Sequence, residues 1–317
     1  MNDPKCREGS QMNKIEVAPI ILFVYNRPWH TQQTVEALQK NELADESELF
    51  IYSDAPKNEH AIENVARVRE YIKTIEGFKK VTIIERAKNW GLADSIIDGV
   101  TRTVNDYGRV IVLEDDLVTS PYFLRFMNEG LEYYKDVEKV MHIAGYIYPL
   151  VTDALPDTFF LKPTSCWGWA TWARSWKYFK KNTDELLEFF TEDMRKDFNL
   201  GNSYNYFAQI ELNKKGLLNT WAIYWYASVF LKGGLSLHPR ISFVKNIGHD
   251  GSGVHCGESL DFDTELANVY HINFESKIDE SLTARQALIE YFNSIKIPLW
   301  RRVIGKTYGR LVGALKR

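Results

Sequence analysis

Hydrophobic runs and amphipathic stretches alternate regularly over the first 115 residues of the chain. Four short apolar runs lie at 19–25, 49–52, 81–84 and 110–113. Between them, apolar residues recur at spacings of three and four, most clearly from Ile62 to Ile75, as on one face of a helix. Uniformly apolar strands that alternate with helices predict an α/β fold with a mostly parallel sheet, covered on both faces.

The pattern is less regular in the second half of the chain. Apolar runs at 140–144, 159–161, 235–237 and 241–244 predict further strands, and periodic stretches at 184–198, 203–215 and 221–231 predict helices. No repeat or low-complexity linker separates the two halves. We therefore expect one continuous fold, with a first half at 18–145 and a second half at 146–295 after a polar lead-in at 1–17.

Composition narrows the class of protein. A chain of 317 residues with 45% hydrophobic and 26% charged residues is typical of a soluble globular protein, and a net charge of -3 argues against nucleic acid as a partner. The three cysteines form no C-x-x-C pair, which fits a reducing compartment. No signal peptide is visible, and the longest apolar stretch, 221–231, is too short to span a bilayer. These features predict a cytoplasmic location.

The composition changes at residue 296. Seven basic residues follow, no acidic residue follows Glu290, and the apolar residues from Trp300 to Leu315 fall on one helical stripe. A basic amphipathic helix with a tryptophan at its start is typical of a segment that lies on an anionic membrane surface. The alternative is a terminal helix that packs on the body with a solvated basic face. We expect 296–317 to associate with the inner membrane.

Polar residues follow the predicted strands of the first half. They are Asn26-Arg27, Asp54, Arg86 with Asn89, and the triplet Glu114-Asp115-Asp116. Because the carboxyl ends of parallel strands meet at one edge of a sheet, where ligands bind in open α/β folds, we expect these side chains to converge. Carboxylate oxygens suit Mg²⁺ or Mn²⁺, which bind diphosphates. The triplet therefore predicts a metal and nucleotide site, with a solvated acidic turn as the alternative.

Three common motifs are absent from the sequence. There is no G-x-G-x-x-G after the first strand, no Walker A sequence and no G-x-S-x-G elbow. Rossmann dinucleotide binding, P-loop chemistry and α/β-hydrolase chemistry are therefore unsupported.

The polar strand ends, taken in order, resemble those of the GT-A glycosyltransferases. The stretch VIVLEDDLVTSPYFLRFM is similar to the N-acetylglucosaminyltransferase I branch, in which an E-D-D triplet precedes a proline and aromatic residues. The later HPRISFVKNIGHDGSGVH is similar in placement to a segment of that branch. Over about residues 19–275, the chain resembles still more closely the bacterial sugar transferases of surface-polysaccharide pathways. The resemblance implies a GT-A fold and a nucleotide-sugar donor.

Matching positions carry the roles of the donor site onto this chain. The resemblance implies Asp116 as a ligand of Mn²⁺ or Mg²⁺, Asp115 and Glu114 near the ribose and metal, Asp54 and Arg27 near the base and nucleotide, and Asn89 near the diphosphate. His255 or His249 is a candidate second metal ligand, as in other GT-A enzymes, and for either one a plain hydrogen-bonded role is the alternative.

The general base does not carry over from that branch. Where the branch has a catalytic aspartate between two tryptophans, this chain reads WAIYW at 221–225. Asp250 and Glu211 are the candidate bases, with Asp250 preferred because it lies in a glycine-rich loop. For either one, an ordinary surface carboxylate is the alternative.

Four tryptophans lie within ten residues, from Trp167 to Trp176. The apolar faces of sugar rings pack on aromatic side chains, so Trp167 and Trp169 are candidate acceptor contacts. The alternative is a core helix, because 169, 172 and 176 share helical spacing.

Together these features predict a metal-dependent glycosyltransferase. It would move a hexose or N-acetylhexosamine, with inversion, from a UDP sugar to a lipid-linked glycan in bacterial surface-polysaccharide synthesis. The missing carboxylate at 221–225 favours one alternative, a catalytically impaired protein that binds glycans or nucleotides. A nucleotidyltransferase is the other alternative, and it is disfavoured because Asn26-Arg27-Pro28 is not a glycine-rich phosphate loop.

Overall fold

A computed structural model describes residues 16–151, 154–251 and 261–295 of the chain. The main sheet has eight strands: β1 (Ile20–Val24), β2 (Glu48–Ser53), β3 (Lys80–Glu85), β4 (Arg109–Glu114), β6 (Val140–Ala144), β7 (Thr158–Leu161), β8 (Trp169–Trp172) and β9 (Leu235–Pro239). Two short strands, β5 (Leu117–Thr119) and β10 (Val244–Asn246), pair with each other in a second sheet.

The helices pack on both faces of the main sheet and in a cluster beside its second half. They are α1 (Pro28–Gln39), α2 (Ile62–Ile72), α3 (Leu92–Tyr107), α4 (Phe123–Tyr133), α5 (Ala173–Trp176), α6 (Thr183–Phe189), α7 (Glu192–Phe198), α8 (Phe207–Lys214), α9 (Ala222–Leu231) and α10 (Leu282–Ser294). A short 3₁₀ turn, Glu59–Ala61, precedes α2.

The spatial order of the main sheet is β3-β2-β1-β4-β8-β6-β9-β7. The first four strands run parallel, and Ile20 of β1 is in register with Leu49 of β2 and Ile111 of β4. β8 is antiparallel to both of its neighbours, and β7 is antiparallel to β9. Six strands therefore share one direction, which confirms the predicted α/β fold with a mostly parallel sheet.

Alternate residues of the central strands enter two separate cores. On β1, Ile20 and Leu22 pack with α1, α2 and α4, whereas Ile21 and Phe23 pack on the opposite face with α3. Successive side chains of a strand point to opposite faces. Every position of a strand that is covered on both sides is therefore buried and favours an apolar residue. This two-sided burial is why the strands of the first half read as continuous apolar runs.

Some predicted elements of the second half were wrong. The helix expected at 184–198 is divided between α6 and α7, and residues 169–172, for which a core helix was the alternative, form β8. The division is at Thr191, whose side chain accepts a hydrogen bond from the Met194 N–H and so caps a new helix. The strand expected at 241–244 lies at Val244–Asn246, and neither β5 nor α10 was predicted.

The second half buries two histidines beside a group of tryptophans. His142 of β6 accepts a hydrogen bond at Nδ1 from Trp225 Nε1 at 3.0 Å, and Nε2 of His238 lies 3.0 Å from the Pro163 carbonyl. Burial lowers the pKa of His142 well below its usual value and lowers the pKa of His238 to about 4. Both side chains are therefore neutral parts of the interior at neutral pH.

An ion-pair network fastens α10 to the body. Arg285 of α10 contacts Asp197 at 2.8 Å and Glu280 at 3.1 Å, and Lys162 contacts Asp197 at 2.6 Å. In the described part of the chain, no helix is both long enough and apolar enough to cross a membrane. Most of the predicted lead-in, 1–15, and the whole basic segment 296–317 lie outside the described residues.

Candidate active site at the carboxyl edge of the parallel strands

The carboxyl ends of β1, β2 and β4 lie side by side. Val24 is in register with Ser53, and Phe23 with Glu114, so the residues that follow these strands share one edge of the sheet. Arg27, Asp54 and the acidic triplet therefore converge, because parallel strands deliver their ends to the same place. Asn89 follows β3 and reaches the same edge, where its Nδ2 donates a hydrogen bond to the Ala55 carbonyl at 2.7 Å.

The acidic triplet forms the tight turn from β4 to β5. The Tyr25 N–H donates to Asp115 Oδ2 at 3.3 Å, which ties the turn to the end of β1. Thr34 of α1 donates its hydroxyl to the Asp115 carbonyl at 2.9 Å and accepts the Leu117 N–H at 3.1 Å. Both flanking elements therefore hold the backbone of the turn, and the three carboxylates are fixed close together.

This crowding changes the acidity of the carboxyl groups. Removal from water, reinforced by the charges of Asp116 and Asp115, raises the pKa of Glu114 well above its usual value. The same two effects, with Asp116 as the main charged neighbour, raise the pKa of Asp115 to about 7. Like charges that are held together out of water favour either a proton or a cation. The turn is therefore a site of strong cation demand.

Arg27 supplies one cation to this turn. Its Nη1 lies 2.8 Å from Asp116 Oδ2, and its Nη2 lies 3.6 Å from Asp250 Oδ1. The other oxygen of Asp250 lies 3.0 Å from Nε2 of His30 in the first turn of α1. Burial and the nearby Arg27 lower the pKa of His30. The structure thus brings together Asp250, the preferred candidate base, and the acidic triplet through their shared contact with Arg27.

The segment after β10 closes over Asp116. β10 pairs with β5, which directly follows the triplet, and the Ile247 N–H donates to the Asp116 carbonyl at 2.9 Å. A Cβ atom on Gly248 would lie 2.1 Å from Asp116 Oδ2 and 3.1 Å from Arg27 Nη1. Only glycine allows this approach, because real Cβ atoms do not come so close to a carboxylate oxygen. Gly248 was not among the residues predicted from the sequence, although its surroundings are visibly rich in glycine.

Asp54 is occupied by backbone donors. Its carboxylate accepts hydrogen bonds from the N–H groups of Ala55 at 2.9 Å, Trp90 at 2.9 Å and Gly91 at 2.8 Å, and it is only 7% exposed. Asp54 therefore ties the loop after β3 to the loop after β2. If Asp54 also contacts a nucleotide base, it does so with a carboxylate that already holds these two loops together.

A second arginine rigidifies the same corner. The Arg86 guanidinium lies 3.9 Å from the Trp90 ring centroid and 5.0 Å from that of Tyr52, and its Nη2 contacts Asp98 at 2.5 Å. Arg69 donates to the Arg86 carbonyl at 2.9 Å. Arg86 was among the residues predicted from the sequence, whereas Arg69, in the last turn of α2, was not.

The remaining predicted site residues are spread over the second half. Trp167 is half-buried, with its ring centroid 4.5 Å from that of Tyr146 and 5.3 Å from that of His249. The acceptor role predicted for Trp169 is corrected, because this side chain is fully buried and stacks on Trp221 at 5.0 Å. It belongs to the core, on a strand.

Glu211 and His255 complete the set of predicted residues. Glu211 is exposed on α8, a helix that packs against α6 and α9. It is not among the described residues that contact the acidic triplet. His255 lies outside the described residues.

The triplet fits a divalent cation whose coordination shell is completed by a ligand. Within the described ranges, no group of three or more His, Cys, Asp or Glu side chains converges as a complete metal cage. Mg²⁺ and similar ions, however, are commonly held by one or two carboxylates together with substrate phosphates and water. Asp116, with its buried carboxyl neighbours and an arginine in contact, has the chemistry for that kind of site.

Comparison with known proteins gives a family match. The model of the family described as glycosyl transferase family 2 matches residues 20–190, which include all of β1 to β4 and the acidic triplet. No curated protein matches the sequence significantly.

Two solved structures illustrate the structural likeness. TarS of S. aureus is 12% identical with a TM-score of 0.30, and the match covers 40% of this chain and 21% of TarS. This chain therefore spans about a fifth of the length of TarS. A mannosyltransferase of Pyrobaculum calidifontis, solved with GDP-Man and Mn²⁺, is 10% identical with a TM-score of 0.39, and the match covers 70% of this chain and 73% of that one.

Proposed function

Because this chain belongs to glycosyl transferase family 2 and has the GT-A fold expected from its sequence, we propose that it transfers a hexose or N-acetylhexosamine from a UDP sugar to a lipid-linked glycan of a bacterial surface polysaccharide. One observation carries the proposal. The contact of Arg27 with both Asp116 and Asp250 joins a cation-demanding carboxylate turn to a candidate base at one sheet edge.

The donor occupies the first half in this proposal. Asp116 would hold Mn²⁺ or Mg²⁺, which would supply positive charge to the diphosphate. Glu114 and Asp115 support the metal shell and the ribose, and Asp54 fixes the pocket for the base through its backbone contacts. Asn89 and Arg27 lie on the diphosphate side, where the Arg27 guanidinium neutralises the departing group.

The chemical step is a displacement at the anomeric carbon. The acceptor hydroxyl oxygen forms a bond to that carbon, while the bond from the carbon to the diphosphate oxygen breaks and its electron pair leaves with the diphosphate. The hydroxyl proton passes to Asp250, whose side chain is 44% exposed and so accessible to an acceptor. A single displacement inverts the anomeric centre.

The absence of a carboxylate at 223–225 has a packing explanation. Ile223, Tyr224 and Trp225 are buried in α9, so a carboxylate at 223–225 would be enclosed in the core. Asp250 contacts the triplet's arginine from a different segment. This favours a working enzyme over a catalytically impaired binding protein, the second candidate. Glu211, exposed on α8, is the less favoured base in this proposal, and His255 keeps its proposed role as a second metal ligand.

The cellular setting follows from the basic segment. We place the enzyme in the cytoplasm, peripheral at the inner membrane, with 296–317 on the anionic surface where a lipid-linked acceptor lies. Nucleic acid is not a proposed partner. Deleting 297–317 should abolish flotation with anionic liposomes, whereas unchanged flotation would contradict the anchor.

A thermal-shift panel of nucleotide sugars with and without Mn²⁺ tests the donor. At a ligand concentration about a hundredfold above Kd, the free energy of unfolding rises by about 2.7 kcal/mol. We expect UDP sugars with Mn²⁺ to give the largest shift, and chromatography of the same mixtures to show released UDP. Binding of UDP without any turnover, with or without glycan acceptors, would favour the binding protein.

A further inference from the structure

The turn that carries Asp250 lies between two tryptophans. On one side, the Trp29 ring meets the His30 ring edge-on, with centroids 4.9 Å apart and planes at 90°, and His30 Nε2 lies 3.0 Å from Asp250 Oδ2. On the other side, the Trp167 ring lies 5.3 Å from the ring of His249, the neighbour of Asp250. Each indole is therefore one imidazole away from the turn.

Exposure distinguishes Trp29 from the other tryptophans. Of those that the structure describes, only Trp29 is mostly exposed, at 58%, and it lies beside Arg27 and His30 at the edge of the candidate site. Trp167 is half-buried and wedged between Tyr146 at 4.5 Å and Phe262 at 5.8 Å, which fixes its ring. One platform is open to solvent and the other is held by neighbouring rings.

A polar atom points to the kind of ligand. Nε2 of His249 is buried and has no hydrogen-bond partner in the described part of the chain. A buried polar atom without a hydrogen bond is destabilising, and a ligand hydroxyl can form a hydrogen bond with this nitrogen. Apolar ring faces with polar groups between them match a pyranose, which has apolar faces and a rim of hydroxyls.

We propose that Trp29 and Trp167 are the two walls of an acceptor subsite for pyranose rings, with His249 and Asp250 between them. The inference rests on the proposed transferase function, because Asp250 is there the group that accepts the acceptor's proton. It adds Trp29, which was not predicted from the sequence, and it specifies an acceptor that places sugar rings on both sides of Asp250.

Fluorine NMR on the full-length protein tests the subsite directly. Labelling with 5-fluorotryptophan gives up to nine signals, and Trp29→Phe and Trp167→Phe assign the two that matter. UDP and Mn²⁺ are added first. Methyl glycosides of glucose, galactose, mannose and N-acetylglucosamine follow, with the disaccharides cellobiose and chitobiose. We expect at least one sugar to move both signals, and Trp29→Ala to weaken its binding about three- to tenfold.

Controls separate stacking from general damage. Trp29→Phe keeps an aromatic face and should retain more binding than Trp29→Ala. Phe189→Ala removes a ring that is 61% exposed on α6, and it should change sugar binding less than twofold. The Trp29 signal staying still with every sugar, or moving equally in a variant that lacks Trp167, would overturn the subsite. Signals that do not respond to UDP and Mn²⁺ would instead contradict the proposed donor site.

Discussion

The acidic turn of the first half and the histidine interior of the second half both bury titratable side chains, but with opposite consequences. Burial raises the pKa of Glu114 and Asp115, so those groups favour a proton or a cation. Burial lowers the pKa of His142 and His238, so those groups favour the neutral state, without an added proton. The same loss of water thus prepares one region for a charged ligand and makes the other a neutral scaffold.

The partners of the two clusters show the same difference. Asp116 contacts an arginine that it shares with Asp250, so its ion pair can be exchanged for another cation. His142 is held by an indole N–H and stacks on Trp169 at 5.3 Å, and both of these partners are themselves buried. The candidate site is therefore distinguished by an ion pair that another cation can replace. The interior that supports it is distinguished by buried contacts between side chains.

Asp116→Ala should have the largest effect on this comparison. In the proposed mechanism, loss of this carboxylate removes the cation bound to the diphosphate, and we expect kcat for UDP-sugar turnover to fall by about 10³-fold. Steady-state assays with Mn²⁺ measure it. Glu63→Gln removes an exposed carboxylate of α2 and is the matched control, expected to change kcat less than twofold. Similar losses in both variants would show that the triplet has no special role.

Acid should weaken the second half by about 3 kcal/mol through His238. Its pKa is lowered, so below about pH 6.5 the unfolded chain binds a proton that the folded chain refuses, and stability falls as the pH falls from about 6.5 to 4. Urea unfolding at several pH values measures this slope. His238→Asn should flatten it, whereas substitution of the exposed His60 should not. An unchanged slope in His238→Asn would place the acid sensitivity elsewhere.

Gly248→Ala should lower kcat about 10²-fold without unfolding the chain. The new methyl group meets Asp116 Oδ2, so the segment or the carboxylate has to shift, and a displacement of about 1 Å is enough for such a loss. The control is Gly130→Ala, whose methyl group meets Ile143 at 3.0 Å in the core. We expect Gly130→Ala to change kcat far less than Gly248→Ala does, because its methyl group lies in the core of α4, away from the acidic triplet. If Gly248→Ala lowers only Tm, its contact with Asp116 is not functional.

The smallest expected effect links metal to pH. The pKa of Asp115 is raised to about 7, so without metal the free energy of unfolding decreases as the pH rises from about 4 through 7. Metal binding requires the deprotonated carboxylates. Mn²⁺ should therefore raise Tm about 2–4 °C more at pH 8 than at pH 5, relative to EDTA. Asp116→Asn should abolish the difference, and a larger Mn²⁺ effect at pH 5 would contradict this account.

The fold of the first half was predictable because its strands are covered on both faces. Four apolar runs separated by periodic stretches correspond to β1 to β4, with strand bounds within a few residues. β8 was not predictable in the same way. Its sequence WATW has aromatic residues at a spacing that also fits a helix, and only its position between β4 and β6 decides the matter. The spacing of residues within one segment does not show which distant strands that segment pairs with.

The site divides along the same line. Arg27, Asp54 and the triplet were found because each directly follows a strand, and parallel topology then brings them together. Gly248 and His30 were missed because their importance lies in contacts with Asp116 and Asp250, from segments far apart in sequence. Trp169 was misassigned because composition alone does not distinguish an exposed ring from a buried one.

The position of β8 has a consequence for the newly made chain. β4 is complete at residue 114, but β8, its neighbour on one side, ends only at residue 172. At about 5–20 residues per second, ribosomes leave that edge without its partner for roughly 3–12 s. Unpaired strand edges recruit other strands, including those of neighbouring nascent chains. Aggregation during synthesis is therefore the hazard that this strand order creates, however stable the finished fold.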